Sequence, residues 1–291
     1  MTMTVTREDY QRLLDHRIPD IEHTHTVKDT ILYALGVGLG ADPVDAGQLR
    51  FVYEKGLLAL PTMISVMCEP HAWLDRSHSG FGARALAGES SFTIYKPIPV
   101  EGEFIGKARL ASVVDKGPGK GALVTTTRDI FEKKSGDLIA TLDHIRFCRG
   151  DGGFGGPTGP VRQPHPLPDT APQFVCELPT LPQAALIYRL SGDYNPLHAD
   201  PAHAKRVGFD RPNLHGWCTL GVAAHALLKT LCNYDPSRLK ALAVRYSAPV
   251  FPGETLRTEM WLAGNRVSFR TLVPARNNIV VLNNGHAEIA R

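Results

Sequence analysis

The chain has 291 residues, and its 32 Lys and Arg against 29 Asp and Glu leave a net charge of +3 with no run of like charge; a polyanion-binding tail, and with it a nucleic-acid partner, is excluded. The length suits two compact units of about 100 to 150 residues each. The five cysteines, Cys68, Cys148, Cys176, Cys218 and Cys232, are odd in number, widely spaced and without a C-x-x-C pair, which argues against a disulfide framework or a zinc site and for a reducing compartment.

From Met1 to Tyr10 the chain lacks the apolar core of a signal peptide, and no apolar stretch reaches the roughly 18 residues of a membrane span. The C-terminus, Glu288-Ile289-Ala290-Arg291, is not a Ser-Lys-Leu-type peroxisomal address. The expectation is a cytoplasmic protein. Leu57 to Leu74 is a long apolar helix candidate. Tyr95-Lys96-Pro97-Ile98-Pro99-Val100-Glu101-Gly102-Glu103 reads as a strand end, a Pro/Gly turn and a new strand. Alternating or β-branched runs follow at Phe104 to Val114, Leu123 to Phe131 and Ile139 to Phe147. Arg149 to Pro172 is so dense in glycine and proline that neither a helix nor a central strand survives there. No Gly-Lys-Ser/Thr follows these glycines, so a flexible connector is expected rather than a phosphate loop.

The second half repeats the first. Tyr188-Arg189-Leu190-Ser191-Gly192-Asp193 echoes Tyr33-Ala34-Leu35-Gly36-Val37-Gly38, Gly216 to Leu231 is a second apolar helix candidate, and Tyr246 to Glu254 matches the turn at Tyr95 to Glu103. Strand runs follow at Leu256 to Ala263, Val267 to Val273 and Ile279 to Ile289. The pattern predicts a duplicated α+β unit, an antiparallel sheet wrapped around a helix. Its boundaries are 1–149, a linker at 150–172, and 173–291.

The halves differ where chemistry would sit. Asp193, Asn195-Pro196 and His198 occupy turn-forming sequence in the second half, where the first reads Gly36-Val37-Gly38-Leu39-Gly40. A turn can aim a carboxylate and an imidazole into one cleft and hold a water between them. Gly216 opens the apolar helix, so its N–H is an unpaired N-terminal donor at the positive end of the dipole, suited to polarising a thioester carbonyl. Asp200-Pro201 reads as a helix N-cap followed by Pro at the first position. His203 and His215 lack the spacing of a zinc helix with His198 and Asp200, so no metal is expected. Cys218 and Thr219 read as buried structural side chains.

Tyr188 to Asp200 with Leu214-His215-Gly216 resembles the signature of the type 2, (R)-specific enoyl-CoA hydratases of the MaoC-like family. Further stretches are similar to the two-repeat hydratase unit of peroxisomal multifunctional β-oxidation enzymes: Leu32 to Gly38, Phe51-Val52-Tyr53-Glu54, Leu60-Pro61-Thr62, Asp115-Lys116-Gly117, Gly152 to Gly156 and Pro252 to Leu256. The resemblance implies a double hot-dog fold and reversible syn hydration of trans-2-enoyl-CoA to (3R)-hydroxyacyl-CoA, with acyl-CoA as substrate and no cofactor. It implies Asp193 and His198 as the catalytic pair, Asn195 ordering their loop, and the Gly216 amide on the thioester oxygen. Lys116 and Tyr246 match positions that contact the CoA thioester. By analogy a homodimer is expected.

One stretch departs from the family. Where eukaryotic relatives carry His-Gly-Glu-Gln at a ligand-contacting position, this chain reads Ala87-Gly88-Glu89-Ser90, which implies a cavity widened for a bulky or branched acyl chain. Three other readings stand beside the hydratase: a 3-hydroxyacyl dehydratase acting on acyl-carrier protein, a hot-dog thioesterase, and a non-catalytic acyl-CoA binding module.

Overall fold

Thr6 and Thr26 open helices by the same device. Each side chain accepts a hydrogen bond from the N–H three residues on, and the aspartate there, Asp9 or Asp29, accepts from the threonine N–H. These capping boxes start α1 (Arg7–Asp15) and α2 (Val27–Gly36), with β1 (Ile21–His25) between them and a short α3 (Ala46–Leu49) after them. The structure is a computed structural model and describes residues 5–70, 80–82 and 85–290. Four long strands complete the first half: β2 (Ala85–Ile94), β3 (Gly102–Asp115), β4 (Ala122–Glu132) and β5 (Leu138–Cys148). The second half holds β6 (Phe174–Pro179), α4 (Ala184–Tyr188), α5 (Pro201–Arg206) and α6 (Gly216–Leu231). It ends with β7 (Leu239–Tyr246), β8 (Thr255–Ala263), β9 (Arg266–Val273) and β10 (Ile279–Ile289).

All ten strands form one sheet in the order β1-β3-β4-β5-β2-β7-β10-β9-β8-β6. Read outward from the β2–β7 junction, the two sides are the same sequence of strands, so the duplication seen in the turns is a duplication of topology. At the junction Ser91 pairs with Ala243, and Arg245 bonds its opposite number Glu89 at 2.6 Å. Strand alternation sorts the faces: Val267, Phe269 and Thr271 of β9 are buried while Ser268 and Arg270 are less so. The sheet wraps α6, buried continuously from Cys218 to Leu228. Small residues permit the contact: a Cβ on Gly221 would sit 2.6 Å from Val37 Cγ1. This is the α+β double hot-dog arrangement that the sequence led us to expect.

Two expectations need correction. The helix expected over Leu57 to Leu74 does not form; a 3-10 turn, Pro61–Ser65, stands in its place, and positions 71–74 lie outside the described residues. Pro61 holds Leu60 extended at ψ 137°, Cys68 takes φ 53°, and Pro70 disfavours a helical Glu69. The carbonyls so released bond the Arg128 guanidinium: Ile64 at 3.2 Å, Ser65 at 3.1 Å and Cys68 at 3.3 Å, with the Glu69 carboxylate on the same group. The run keeps its apolar function, because Leu60, Met63, Ile64 and Met67 enter the same core as α6.

The glycine-rich stretch after β5 carries no helix or strand, but it is not a loose connector. The Asp115 carboxylate accepts N–H bonds from Gly117 (2.8 Å), Gly153 (2.7 Å) and Gly155 (2.9 Å). A Cβ on Gly152 would fall 2.4 Å from the carbonyl oxygens of Gly117 and Gly121. These glycines do cradle an anion; it is the chain's own aspartate.

Candidate active site

A 3-10 turn, Arg189–Ser191, follows α4 and ends at Gly192, whose φ of 127° is open to glycine and resisted by other residues. The chain then turns Asp193 into a cavity of about 820 Å³ lined by both halves. Asn195 N–H donates to Asp193 Oδ1 at 3.2 Å, and Asn195 Oδ1 accepts from Leu197 N–H at 3.0 Å, capping the 3-10 turn Pro196–His198. One asparagine thus ties the carboxylate to the turn that carries the histidine.

His198 is 9 % exposed, and its Nδ1 lies 2.9 Å from the Asn213 carbonyl. A carbonyl only accepts, so Nδ1 bears the proton and Nε2 keeps a lone pair. Burial lowers the pKa of this imidazole, against the opposing pull of the Asn213 carbonyl and the Asp193 charge. His215 lies beside it with Nε2–H donating to the Asp193 main-chain carbonyl at 3.1 Å. Burial pushes its pKa down to about 2, so it is neutral. The two imidazoles stack with centroids 3.8 Å apart and planes 31° apart, and Tyr188 covers the other neighbour position 4.8 Å from His215.

A carboxylate oxygen of Asp193 and one ring nitrogen each of His198 and His215 lie within 4.8 Å of one another. Groups at this spacing are within reach of one metal ion or of one bridging water. Asp200 caps α5 through the N–H groups of Ala202 and His203, and His203 Nδ1 accepts from Arg206, so neither reaches the cluster.

Gly216 is the first residue of α6, among the positions whose N–H has no partner within a helix. A Cβ there would stand 3.1 Å from the Tyr246 ring, so the glycine lets Tyr246 and the helix start share one wall of the cavity. The Tyr246 hydroxyl donates to Ser90 Oγ at 3.0 Å, and Ser90 Oγ lies 2.9 Å from His144 Nδ1. Ala87 lines the same cavity from β2. Gly88 is passed over by a β-bulge between Ala87 and Glu89 and is not among the lining residues. Lys116 is exposed on the turn after β3, its Nζ 5.9 Å from the Phe147 ring centre, and it too is outside the lining. Cys218 donates to the Gly36 carbonyl at 3.3 Å, and burial raises its pKa, as suits a structural thiol.

The structure thus brings Asp193, Asn195, His198, Gly216, Tyr246 and Ala87 to one cavity and leaves Gly88 and Lys116 outside it. Sequence reasoning gave no role to His215 or Asn213 and missed Ser65, Glu69, His144 and Arg146, which line the cavity from the first half. Tyr188 and His215 lie within the recognised motif, but spacing does not reveal that their ring centres lie 4.8 Å apart.

Duplicated sheets over a buried helix, with a carboxylate and an imidazole facing a helix start, define a double hot-dog protein with an acid/base site. Family models divide the chain between them: "MFE-2 hydratase 2 N-terminal domain" matches residues 23–150 and "MaoC like domain" matches 164–284. The chain is 40% identical to "Enoyl-CoA hydratase 2, peroxisomal" of Arabidopsis thaliana over 92% of each chain. It is 37% identical to "Peroxisomal multifunctional enzyme type 2" of Mus musculus over 92% of itself, spanning 37% of that longer enzyme. The crystal structure of a MaoC-like dehydratase from Phytophthora capsici superposes with a TM-score of 0.84 at 33% identity, covering 97% of this chain and 99% of that one. The chain belongs to the MaoC-like hydratase 2 family.

Proposed function

We propose that the chain catalyses the reversible hydration of trans-2-enoyl-CoA to (3R)-3-hydroxyacyl-CoA in fatty acid β-oxidation, as a hydro-lyase. The observation that carries this reading is the convergence of Asp193 and His198 within 4.8 Å in a cavity that also reaches the first residue of α6. A water about 2.8 Å from each group bridges such a gap. Its two hydrogens face the carboxylate and the His198 Nε2 lone pair, and its oxygen is left free to attack. As that oxygen bonds to Cβ, the π electrons move toward the thioester carbonyl, and the Gly216 N–H stabilises the enolate-like charge. The proton taken from water by the Asp193/His198 pair is delivered to Cα on the same face, which completes a syn addition. Every atom of the water ends in the product, so the reaction needs no redox cofactor, and the Asp193/His198 pair supplies acid/base chemistry that requires no metal.

Ala87 in the wall supports a substrate with a bulky or branched acyl chain. Lys116, exposed beside the Phe147 ring and outside the cavity lining, supports a contact to the phosphates of CoA. Five buried, unpaired cysteines support a reducing compartment, the basis for placing the protein in the cytoplasm; among the described residues no helix is long and apolar enough to cross a membrane. Exposed Phe174 and Val175 on edge strand β6, with Leu181 and Leu186 after it, support a homodimer, which light scattering at micromolar concentration tests.

The deciding experiment mixes the purified protein with crotonyl-CoA, longer enoyl-CoAs and a sterol-like enoyl-CoA, following loss of the conjugated thioester, product chirality and free CoA. Loss of conjugation with (3R) product is expected, and Asp193→Asn should lower turnover by about 10² or more. Release of CoA in place of hydration would make it a thioesterase. Binding without turnover would make it an acyl-CoA binding module, and a strong preference for acyl-carrier protein would make it a dehydratase of fatty acid synthesis. Equal use of the sterol-like substrate by the wild type and Ala87→His would remove the bulky-chain reading.

A further inference from the structure

His215 contacts both Asp193 and His198 without itself lining the cavity. It is the N-cap residue of α6 and directly precedes Gly216. Its Nε2–H bonds the main-chain oxygen of Asp193, and its ring lies against that of His198. On the side of Tyr188, the ring contact continues into Ser65, whose hydroxyl lies 3.1 Å from the Tyr188 hydroxyl and 3.5 Å from that of Tyr33. Only 1 % exposed, the ring has no room to leave this place.

We infer that His215 is a positioning residue for the hydration, fixing the Asp193 loop and the His198 ring to the start of α6 so that base, acid and oxyanion donor move as one body. The inference rests on the hydratase reading. Its physical content is that a single neutral imidazole makes two contacts of different kinds, a hydrogen bond to one catalytic residue's backbone and a stack on the other's ring. A donor N–H is required at Nε2, since the Asp193 carbonyl can only accept. The ring must stay uncharged, because a cation here would face His198 directly and stand near Arg189, two groups that both depress its pKa. Burial ensures that it does.

Two substitutions separate the two contacts. His215→Phe keeps a flat ring against His198 and deletes the donor. His215→Gln places an amide N–H near the position of Nε2 and deletes the stack. Loss of one such hydrogen bond corresponds to about a tenfold loss in rate, so His215→Phe should lose about tenfold in kcat with little change in KM. His215→Gln should stay within about threefold of the wild type. A second readout does not need activity. Asp193 raises the pKa of His198 while burial and Arg189 lower it; a carboxylate freed from its anchor raises it less. In histidine-ring NMR titrations His198 should therefore titrate at lower pH in His215→Phe than in the wild type, with His215→Gln in between or unchanged.

If His215→Phe turns over like the wild type with His198 titrating at the same pH, or if His215→Gln fails as badly as His215→Phe, the anchoring bond is not what His215 supplies and the inference is overturned. Should His215→Phe fail to fold, His215→Gln decides alone: retention of kcat supports the donor and loss of it refutes the donor. If the wild type itself does not hydrate enoyl-CoA, the hydratase reading fails, and the titration shift still tells whether His215 governs the Asp193–His198 geometry.

Discussion

A buried imidazole next to a carboxylate could stand either as a cation held by its neighbour or as a neutral base. At His198 burial is the largest influence and lowers the pKa from 6.5; the Asn213 carbonyl and Asp193 oppose it. The neutral form with Nε2 unprotonated is the one that can take a hydrogen of the water. A lowered pKa keeps this form present further into acid. The acid limb of kcat/KM, which reports the free enzyme, should therefore fall below pH 6.5. A limb above that pH would mean that Asp193 outweighs burial, whereas activity that is lost as the pH rises through the same pKa would mean that His198 works as a cation. The glycine at position 216 makes a different point at this scale. Sequence reasoning assigns it to close approach of substrate, but the nearest obstruction to a Cβ is the Tyr246 ring at 3.1 Å, so its smallness shapes the wall before any substrate arrives.

Among the elements, the turn at Asp115 and the glycine run after β5 depend on each other. Three N–H groups converge on one carboxylate that is 4 % exposed, and they hold its pKa down. Asp115→Asn leaves one acceptor oxygen and turns an NH2 group toward those donors. The cost expected for such unsatisfied buried groups is about 2–3 kcal/mol, read as a lower denaturation midpoint at pH 7; an unchanged midpoint would mean that water replaces the carboxylate freely. This clamp was hidden in the sequence because glycine density reads equally as slack or as close packing, and only the partner tells which. The strands β3 to β5 and β8 to β10 and the helix α6 were legible, because alternation and a long apolar run report directly on burial. Edge strands β1 and β6 were not, being short and half exposed. The false helix at Leu57 to Leu74 shows the limit of composition: Pro61, Cys68 at positive φ and Pro70 break it, while its apolar side chains still enter the core. In the site, Asp193, Asn195, His198 and Gly216 were readable because they are close in sequence, whereas Ser65, Glu69, His144 and Arg146 reach the cavity from the other repeat through the sheet.

At the scale of the molecule, the repeats share one sheet and one core, and buried histidines lie along their seam. His225 of α6 is 2 % exposed, its Nε2 3.4 Å from the Tyr234 hydroxyl, and Tyr234 in turn donates to Asp45 of the first half at 3.4 Å. Burial lowers its pKa to about 4, as it lowers that of His215 to about 2. In the unfolded chain both return toward 6.5. Between those values the unfolded state binds protons that the folded state refuses, so stability rises with pH across the window and is lost as the pH drops below about 6.5. Each such group contributes on the order of 1.4 kcal/mol per pH unit within the window. From pH 7 to 5.5 the pair should therefore lower unfolding stability by about 2–3 kcal/mol, and His144 and His23, whose pKa values burial lowers to about 3 and about 4, add to the fall, seen in the urea midpoint with an unchanged slope. Carboxylates with depressed pKa values, Asp115 among them, add nothing at this pH because their loss begins only near the ordinary carboxylate range of about 4. Equal midpoints at the two pH values would show that the seam admits the charged imidazoles. A fall confined to a first of two transitions would show instead that the repeats unfold separately, against the continuous β2–β7 pairing and the common core.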